Sequence, residues 1–304
     1  MDVMMDVGIS ILAKLKNKSK ASGILFQQCL QLFFQEEFLR RLSKSRYAEN
    51  FVLKGGLFIY LLSDFESRVT VDVDFLLQKM NNDLGKINEI VGEIISTPSE
   101  YNEIIILEQK KTERISMQRK YPGISIQIIG RIKNVRVPFD VDIAIGDVII
   151  PHPQKRSIHT QLDGYDAPEV LTYSLESTIA EKFEAILQRF ELTSRMKDFY
   201  DIYYLSKNFD FDGRNLKEAI KQTISSRGTE FDRNTIDRVL ALSSETDMQI
   251  KWRYFLKTIQ SSDLLFSDVL SGIDVFLRPV WYAFVSNEEF SGVWNGVSWD
   301  KWAN

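Results

Sequence analysis

The most constraining feature of this sequence is a strict alternation of side chains over residues 70–76. One set is Thr70, Asp72, Asp74 and Leu76, and the other is Val71, Val73 and Phe75. A period of two is the pattern of a β-strand, so the two carboxylates face the same side, about 7 Å apart at Cα. Carboxylates at this spacing can converge on one or two divalent ions. Mg²⁺ is the natural choice, because it takes carboxylate and phosphate oxygens.

The same Asp-x-Asp pattern is also typical of a solvent-facing strand, so its context matters. Upstream, Gly55-Gly56 precedes the apolar run at residues 57–62, which predicts a tight turn that opens a helix. Such a turn exposes backbone N–H groups, and the helix dipole attracts a phosphate. A Gly-Gly pair alone is often an ordinary turn. Together with the two carboxylates, it predicts a triphosphate cradle beside a metal site.

A second alternating segment, residues 137–145, supplies a third carboxylate. Asp140 and Asp142 share one face of this predicted strand, and Phe139 and Val141 take the other. If the two strands are neighbours, Asp142 or Asp140 completes a three-acid site. Such a site holds two metal ions about 4 Å apart, as is usual for in-line displacement at phosphorus.

The periodicity along the chain predicts an α/β (α+β) fold. An amphipathic helix is expected over residues 26–42, and strands of one sheet over 69–77, 104–107, 124–129 and 135–150. After Pro151 the chain becomes rich in Pro, Gly and Asp, and helical patterns follow. We therefore predict a lobe of mixed sheet and flanking helices at residues 1–165, a helical C-terminal lobe at 166–304, and an active site between them.

Composition excludes several classes of protein. The apolar fraction of 44% and the charged fraction of 26% are those of a globular chain, and every apolar stretch is too interrupted to cross a bilayer. No secretory signal is apparent, so we expect a cytoplasmic protein without membrane contact. Cys29 is the only cysteine, and His152 and His159 are the only histidines, which argues against zinc and thiol chemistry.

The C-terminal half contains two ambiguous groups of charged residues. Ser174 is a predicted helix cap, and Lys182 borders the apolar stripe of the helix that follows, through residue 188. Its ammonium group either binds phosphate or lies at the end of a stem that covers the core. In the next predicted helix, residues 195–206, the spacing of Lys197 and Asp201 predicts a stabilised surface.

Five ordered blocks of sequence carry a family resemblance over nearly the whole chain. They are residues 38–45 (FLRRLSKS), 51–56 (FVLKGG), 68–74 (RVTVDVD), 180–183 (AEKF) and 197–201 (KDFYD). With these blocks the chain resembles the AbiEii/AbiGii nucleotidyltransferase toxins of bacterial abortive-infection and type IV toxin–antitoxin systems.

The resemblance implies a nucleotidyltransferase fold and assigns roles to residues. Lys54, Gly55 and Gly56 would hold the triphosphate, with Arg68 and Thr70 in the nucleotide site. Asp72, Asp74 and Asp142 would be the ligands of one or two Mg²⁺ ions. Lys182 would contact phosphate, and Asp198 would act in the active site.

Two positions depart from the pattern of relatives, and both concern hydroxyl groups. Leu57 stands where many members of the wider superfamily have Ser or Thr, so the backbone has to bind the terminal phosphate without that hydroxyl. Thr70 stands where relatives often have Ser, and it keeps the hydroxyl group.

The acceptor is implied by the resemblance alone. Relatives add nucleotides to the 3′ end of tRNA and so halt translation, and a cognate antitoxin is implied too. The basic runs at residues 14–20 and 131–136 are then candidate RNA contacts, although each is also typical of a solvated surface.

Two alternatives from other classes remain open. A metal-dependent phosphodiesterase uses the same carboxylates but needs no triphosphate cradle. A non-catalytic growth inhibitor that binds GTP or another nucleotide would act by contact alone.

Overall fold

The structure is a computed structural model that describes residues 6–81, 83–100, 103–115, 123–190, 195–261, 263–296, 298 and 302–303. The helices are α1 (Val7–Ser22), α2 (Phe26–Lys44), α3 (Gly55–Leu62), α4 (Leu84–Ser96), α5 (Leu175–Arg189), α6 (Met196–Asn208), α7 (Gly213–Arg227), α8 (Thr235–Ala241), α9 (Thr246–Thr258) and α10 (Phe266–Val285). The strands are β1 (Phe51–Lys54), β2 (Asp72–Leu77), β3 (Ile106–Ile115), β4 (Gly123–Ile132), β5 (Val135–Ala144), β6 (Gln154–Ser157), β7 (Glu169–Thr172), β8 (Phe211–Asp212), β9 (Val293–Trp294) and β10 (Trp302–Ala303).

The chain divides into two compact units. The first comprises residues 1–146 and 154–172, and the second comprises residues 147–153 and 173–304. The division that the sequence predicts at residue 165 stays a prediction. Within the described residues, no helix has the length and apolar character needed to cross a membrane.

The first unit is built on a seven-stranded mixed sheet in the order β3-β4-β5-β2-β1-β7-β6. The pairs β2–β5 and β1–β7 are parallel, and the other neighbours are antiparallel. The helix α2 packs on one face of this sheet, where the ring of Phe38 lies 6.0 Å from that of Phe75 and 6.5 Å from that of Phe139. The apolar members of the alternating segments therefore form the core, and the polar members lie on the opposite face.

The second unit is mostly helical. The helix α5 packs against α6 and α7, and α10 packs against both of the latter. Trp252, Trp281 and Trp294 are buried in this unit, and β8, β9 and β10 form a small three-stranded sheet. The α/β fold class predicted from the sequence is confirmed.

Helix boundaries agree with the predictions, because they rest on local signals. The helix predicted at 26–42 is α2. Ser174 caps α5 as predicted, since its Oγ accepts a hydrogen bond from the Ser177 N–H at 3.0 Å.

Strand boundaries agree less well. The strand predicted from residue 69 begins only at Asp72, because side chains of α2 bind the carbonyl group just before it. The strand predicted from residue 104 begins at Ile106, and the one predicted to reach residue 150 ends at Ala144. The four-residue strands β1, β6 and β7 were not predicted, because each is too short for a period of two to stand out; β6 also lies within the Pro- and Gly-rich stretch, which β7 follows.

Candidate nucleotide site on the first unit

Four carboxylates face the same side of two neighbouring parallel strands. The register of β2 and β5 sets Asp72 opposite Asp140 and Asp74 opposite Asp142. Paired residues on adjacent strands lie about 4.8 Å apart and point to the same face. All four are half-buried, whereas the residues that alternate with them, such as Val73 and Val141, are buried. The structure thus brings the Asp pair and the predicted third carboxylate together, and it places Asp140 beside them as well.

Gly55 lies directly against one of these carboxylates. It begins α3 with φ of +72°, a backbone conformation that favours glycine. A Cβ atom at this position would lie 2.7 Å from Cγ and 2.9 Å from Cβ of Asp74, closer than real Cβ atoms come to such neighbours. This turn therefore requires glycine for two reasons: the positive φ, and the close approach of the Asp74 side chain.

Gly56 is the second close approach at the start of α3. A Cβ here would lie 2.8 Å from the Thr70 hydroxyl oxygen and 3.3 Å from Nη2 of Arg68. The first N–H groups of a helix have no partner within the helix, and its dipole favours an anion there. An arginine and a hydroxyl beside such N–H groups are the surroundings that bind phosphate.

Lys54 completes the group on β1. It is the residue before Gly55, it pairs with Asp74 in the antiparallel register, and it is 9% exposed. Residues directly opposite each other on neighbouring strands share a face, so Lys54 lies on the side of the carboxylates. The predicted nucleotide-binding residues of the first unit thus occupy one region of its surface.

Sequence reasoning missed two residues that hold this region in place. The side-chain amides of Gln31 and Gln35, one turn apart on α2, both donate to the carbonyl oxygen of Val71, at 2.7 and 2.8 Å. Val71 stands between Thr70 and Asp72, so these bonds fix the chain between two candidate site residues. No local pattern predicts the pairing, because it joins residues 36 and 40 positions apart.

The electrostatics distinguish Asp140 from its neighbours. Burial, followed by the charge of Asp72, raises the pKa of Asp140 above its usual range, although a hydrogen bond from Gln127 opposes the shift. Repulsion between carboxylates in register is the expected cost of gathering negative charge for a cation. Asp140 and Asp142 each lie in register with one member of the Asp pair, so either can supply the third metal ligand.

The donor set has the chemistry of a magnesium site, without a preformed cluster. Carboxylate oxygens are the ligands that Mg²⁺ takes from proteins. Among the residues that the structure describes, no group of three or more His, Cys, Asp or Glu side chains is placed to hold a metal ion. The fit of the site to Mg²⁺ therefore rests on strand register and ligand type.

Lys182 and Asp198 lie in the second unit, where they belong to a buried ion-pair group. Lys182 Nζ lies 3.2 Å from Asp198 Oδ1 and 2.6 Å from Asp201 Oδ2, and Arg195 also binds Asp198. Burial would raise the pKa of Asp198, but the charges of Lys182 and Arg195 outweigh it and lower that pKa. The stabilised surface predicted for Lys197 and Asp201 is wrong, because Asp201 is 1% exposed and binds Lys182.

Comparisons with known proteins identify the family. The sequence model of the nucleotidyl transferase AbiEii toxins of type IV toxin–antitoxin systems matches residues 37–272. No curated protein matches the sequence.

One solved structure supports the fold. The chain resembles MenT4, a nucleotidyltransferase toxin from Mycobacterium tuberculosis H37Rv, with a TM-score of 0.60 and 16% identity, over 91% of this chain and 90% of that one. It also matches JHP933 from Helicobacter pylori with a TM-score of 0.44 and 16% identity, over 86% and 93% of the two chains. At such identities the first likeness supports the fold alone.

The family match covers the alternating strands, the glycine turn and the buried Lys182 group. It confirms the resemblance drawn from the five sequence blocks. The chain belongs to the AbiEii family of nucleotidyl transferase toxins of type IV toxin–antitoxin systems.

Proposed function

We propose that the protein transfers a nucleoside monophosphate from a nucleoside triphosphate to the 3′ end of tRNA and thereby stops translation. The observation that carries the proposal is the contact between the glycine turn and the acidic strand: Gly55 lies against Asp74, and Gly56 lies beside Thr70 and Arg68. A phosphate cradle next to a carboxylate face is what nucleotidyl transfer requires of a protein.

In the proposed reaction, the N–H groups at the start of α3 and the Arg68 guanidinium hold the triphosphate. Asp72, Asp74 and Asp142 would hold one or two Mg²⁺ ions. When bound, the metal neutralises phosphate charge and makes the acceptor hydroxyl more acidic. The acceptor hydroxyl loses its proton to solvent as its oxygen bonds to the α-phosphorus, the bond from that phosphorus to the β-bridging oxygen breaks, and pyrophosphate leaves.

For Lys182 and Asp198, the roles implied by the resemblance stay predictions. Lys182 would contact phosphate, and Asp198 would act in the active site. Their mutual ion pair gives both a structural role in the second unit as well.

An RNA acceptor agrees with the surface of α1. Lys14, Lys16 and Lys20 are exposed on this helix. More of the positive charge of the second basic run, residues 131–136, is neutralised. Arg131 pairs with Glu108 at 3.4 Å, and Lys133 pairs with Asp6. We therefore propose α1 as the contact for the RNA backbone, and expect binding to weaken steeply with salt. Membership of a toxin–antitoxin family also implies a cognate antitoxin.

The test is to incubate the protein with Mg²⁺, each α-labelled nucleoside triphosphate in turn and total tRNA, and to resolve the products on a denaturing gel. We expect label on RNA, and at least a hundredfold loss, as an order of magnitude, in Asp72→Asn and Asp74→Asn. Asp163→Asn, which changes an exposed carboxylate of the same unit, should keep full activity.

Other outcomes would contradict parts of the proposal. Label on protein would reject the tRNA acceptor and keep the chemistry. Full transfer in both Asp variants would reject the site. Growth inhibition by Asp72→Asn without any transfer would favour a nucleotide-binding inhibitor, and cleavage without nucleotide consumption would favour a phosphodiesterase.

A further inference from the structure

A cavity of about 330 Å³ lies in the first unit, beside the C-terminal end of α2. Its charged and polar lining residues are Arg40, Ser43, Lys44, Lys155, Asp166 and Glu169. The first three share one side of α2, and the others come from β6 and the segment that enters β7. The lining therefore carries three cations against two carboxylates.

This cavity is separate from the candidate nucleotide site. It is lined by α2, whose Phe38 contacts Phe75 and Phe139 on the apolar face of the sheet. Phe75 alternates with Asp74, and Phe139 alternates with Asp140, so the carboxylates lie on the other face. A ligand in the cavity is thus held on the far side of the sheet from the proposed reaction.

Arg40 provides a buried cation with unused hydrogen-bond donors. It is 3% exposed, its Nε donates to Glu37 at 3.0 Å, and its guanidinium lies 5.2 Å from the ring centre of Tyr165. Among the described residues, neither Nη1 nor Nη2 has a hydrogen-bond partner. A buried donor without a partner has lost its hydrogen bonds to water and gained none in return, which destabilises the fold. An oxyanion recovers this cost, and the planar guanidinium fork matches phosphate geometry.

The two exposed lysines that line the cavity, Lys44 and Lys155, form its rim, and their ion pairs hold them only weakly. Lys44 lies 3.0 Å from Asp166, and Lys155 lies 3.5 Å from Glu169, with all four side chains between 43% and 65% exposed. Exposed pairs of this kind contribute little to stability, because water screens both charges. Both ammonium groups can therefore turn toward a ligand at little cost, above the fixed charge of Arg40.

We infer that this cavity is a second phosphate-binding site, in which Lys44 and Lys155 make the first contacts with a phosphate group and Arg40 supplies the buried charge beneath them. The phosphate belongs either to the backbone of the acceptor RNA or to a free nucleotide. The RNA source rests on the proposed function, whereas phosphate binding itself does not.

The test compares Lys44→Ser/Lys155→Ser with Lys86→Ser/Lys221→Ser. The control lysines are each 51% exposed and paired with a glutamate. Both doubles are made in full-length Asp72→Asn protein, so that no transfer occurs. Anisotropy of labelled tRNA is measured over a range of salt concentrations, and calorimetry with inorganic phosphate is done at fixed ionic strength.

We expect the rim variant to bind tRNA about tenfold more weakly, with a salt slope smaller by roughly one to two, and to lose phosphate binding. The control should match the parent. Arg40→Lys keeps the charge and loses the fork, so it should weaken phosphate binding too, provided that circular dichroism shows it folded.

The two sources give different results. Loss of phosphate binding with unchanged tRNA binding assigns the site to a free nucleotide. Loss of both assigns it to the RNA backbone. Rim and control variants that behave alike in both assays overturn the inference, and this holds whether or not the protein transfers nucleotides.

Discussion

At the scale of single residues, Gly55 links backbone geometry to the proposed chemistry. Its positive φ turns the chain from β1 into α3, and its missing side chain leaves room for the Asp74 carboxylate. A larger residue has to push Asp74 away or shift the turn. Because Gly55 has only a hydrogen atom where other residues have Cβ, the candidate metal ligand Asp74 can lie directly against the candidate phosphate cradle.

We predict that Gly55→Ala lowers transfer about a hundredfold, because displacement of a reacting group by about 1 Å has effects of that size. Its backbone cost should be about 1–2 kcal/mol. Gly23→Ala is the matched control, since Gly23 has φ of +75° and no neighbouring atom within 4 Å of an added Cβ. Transfer assays and thermal unfolding separate the two effects. Equal loss of activity in both variants would mean that the approach of Asp74 is unimportant.

At the scale of elements, α2 is more than the amphipathic helix that its pattern predicts. Several of its polar residues are buried as well, namely Gln35, Glu36, Glu37, Arg40 and Arg41. Burial raises the pKa of Glu36 to about 7, even though Arg40 opposes the shift. In an amphipathic helix, the polar residues between the apolar positions usually face solvent. Instead, Gln35, Glu36 and Arg41 bind the backbone of neighbouring segments, including the residue just before β2.

We predict that Gln31→Ala/Gln35→Met lowers the kcat for transfer about tenfold, since it frees the chain between Thr70 and Asp72. The effect on stability should be small, because Gln35 Oε1 has no hydrogen-bond partner among the described residues and Met removes this unsatisfied atom. Kinetics and urea unfolding should be measured together. Gln27→Ala, an exposed change on the same helix, is the control. Wild-type kcat in the double variant would show that the two hydrogen bonds to the Val71 carbonyl are not needed for transfer.

At the scale of the whole molecule, the second unit depends on a segment that is distant in sequence. Arg227 Nη2 lies 3.2 Å from Asp147 and 3.4 Å from Glu181, and Nη1 lies 2.7 Å from Glu184. Three carboxylates therefore share one guanidinium, whose side chain is only 14% exposed. Asp147 lies three residues after the end of β5, yet the segment 147–153 belongs with the helices from residue 173 onward.

We predict that Arg227→Met destabilises the second unit by about 3–5 kcal/mol, because it leaves three carboxylates without their cation. All five tryptophans lie between residues 252 and 302. Tryptophan fluorescence during urea unfolding therefore reports on this unit. Arg238→Met is the control, since Arg238 is 51% exposed in the same unit and its pair with Asp232 is on the surface. Equal midpoints for both variants would contradict a structural role for Arg227.

The sequence by itself determined the features that depend on neighbouring residues. The alternation at 70–76 and 137–145, the glycine turn and the Ser174 cap are local patterns, so they predicted the faces of two strands, the start of α3 and the start of α5. The five blocks were sufficient to identify the family, and the family implied the fold.

The tertiary structure alone decided which distant groups meet. The register of β2 against β5 places Asp72 opposite Asp140, and strand pairing of this kind depends on the whole sheet. Likewise, spacing predicted a surface for Asp201, but the packing of α6 against α5 buried it against Lys182. Local periodicity shows which side of an element a residue takes. Only the packing of that element shows whether the side meets solvent, a charge or another strand.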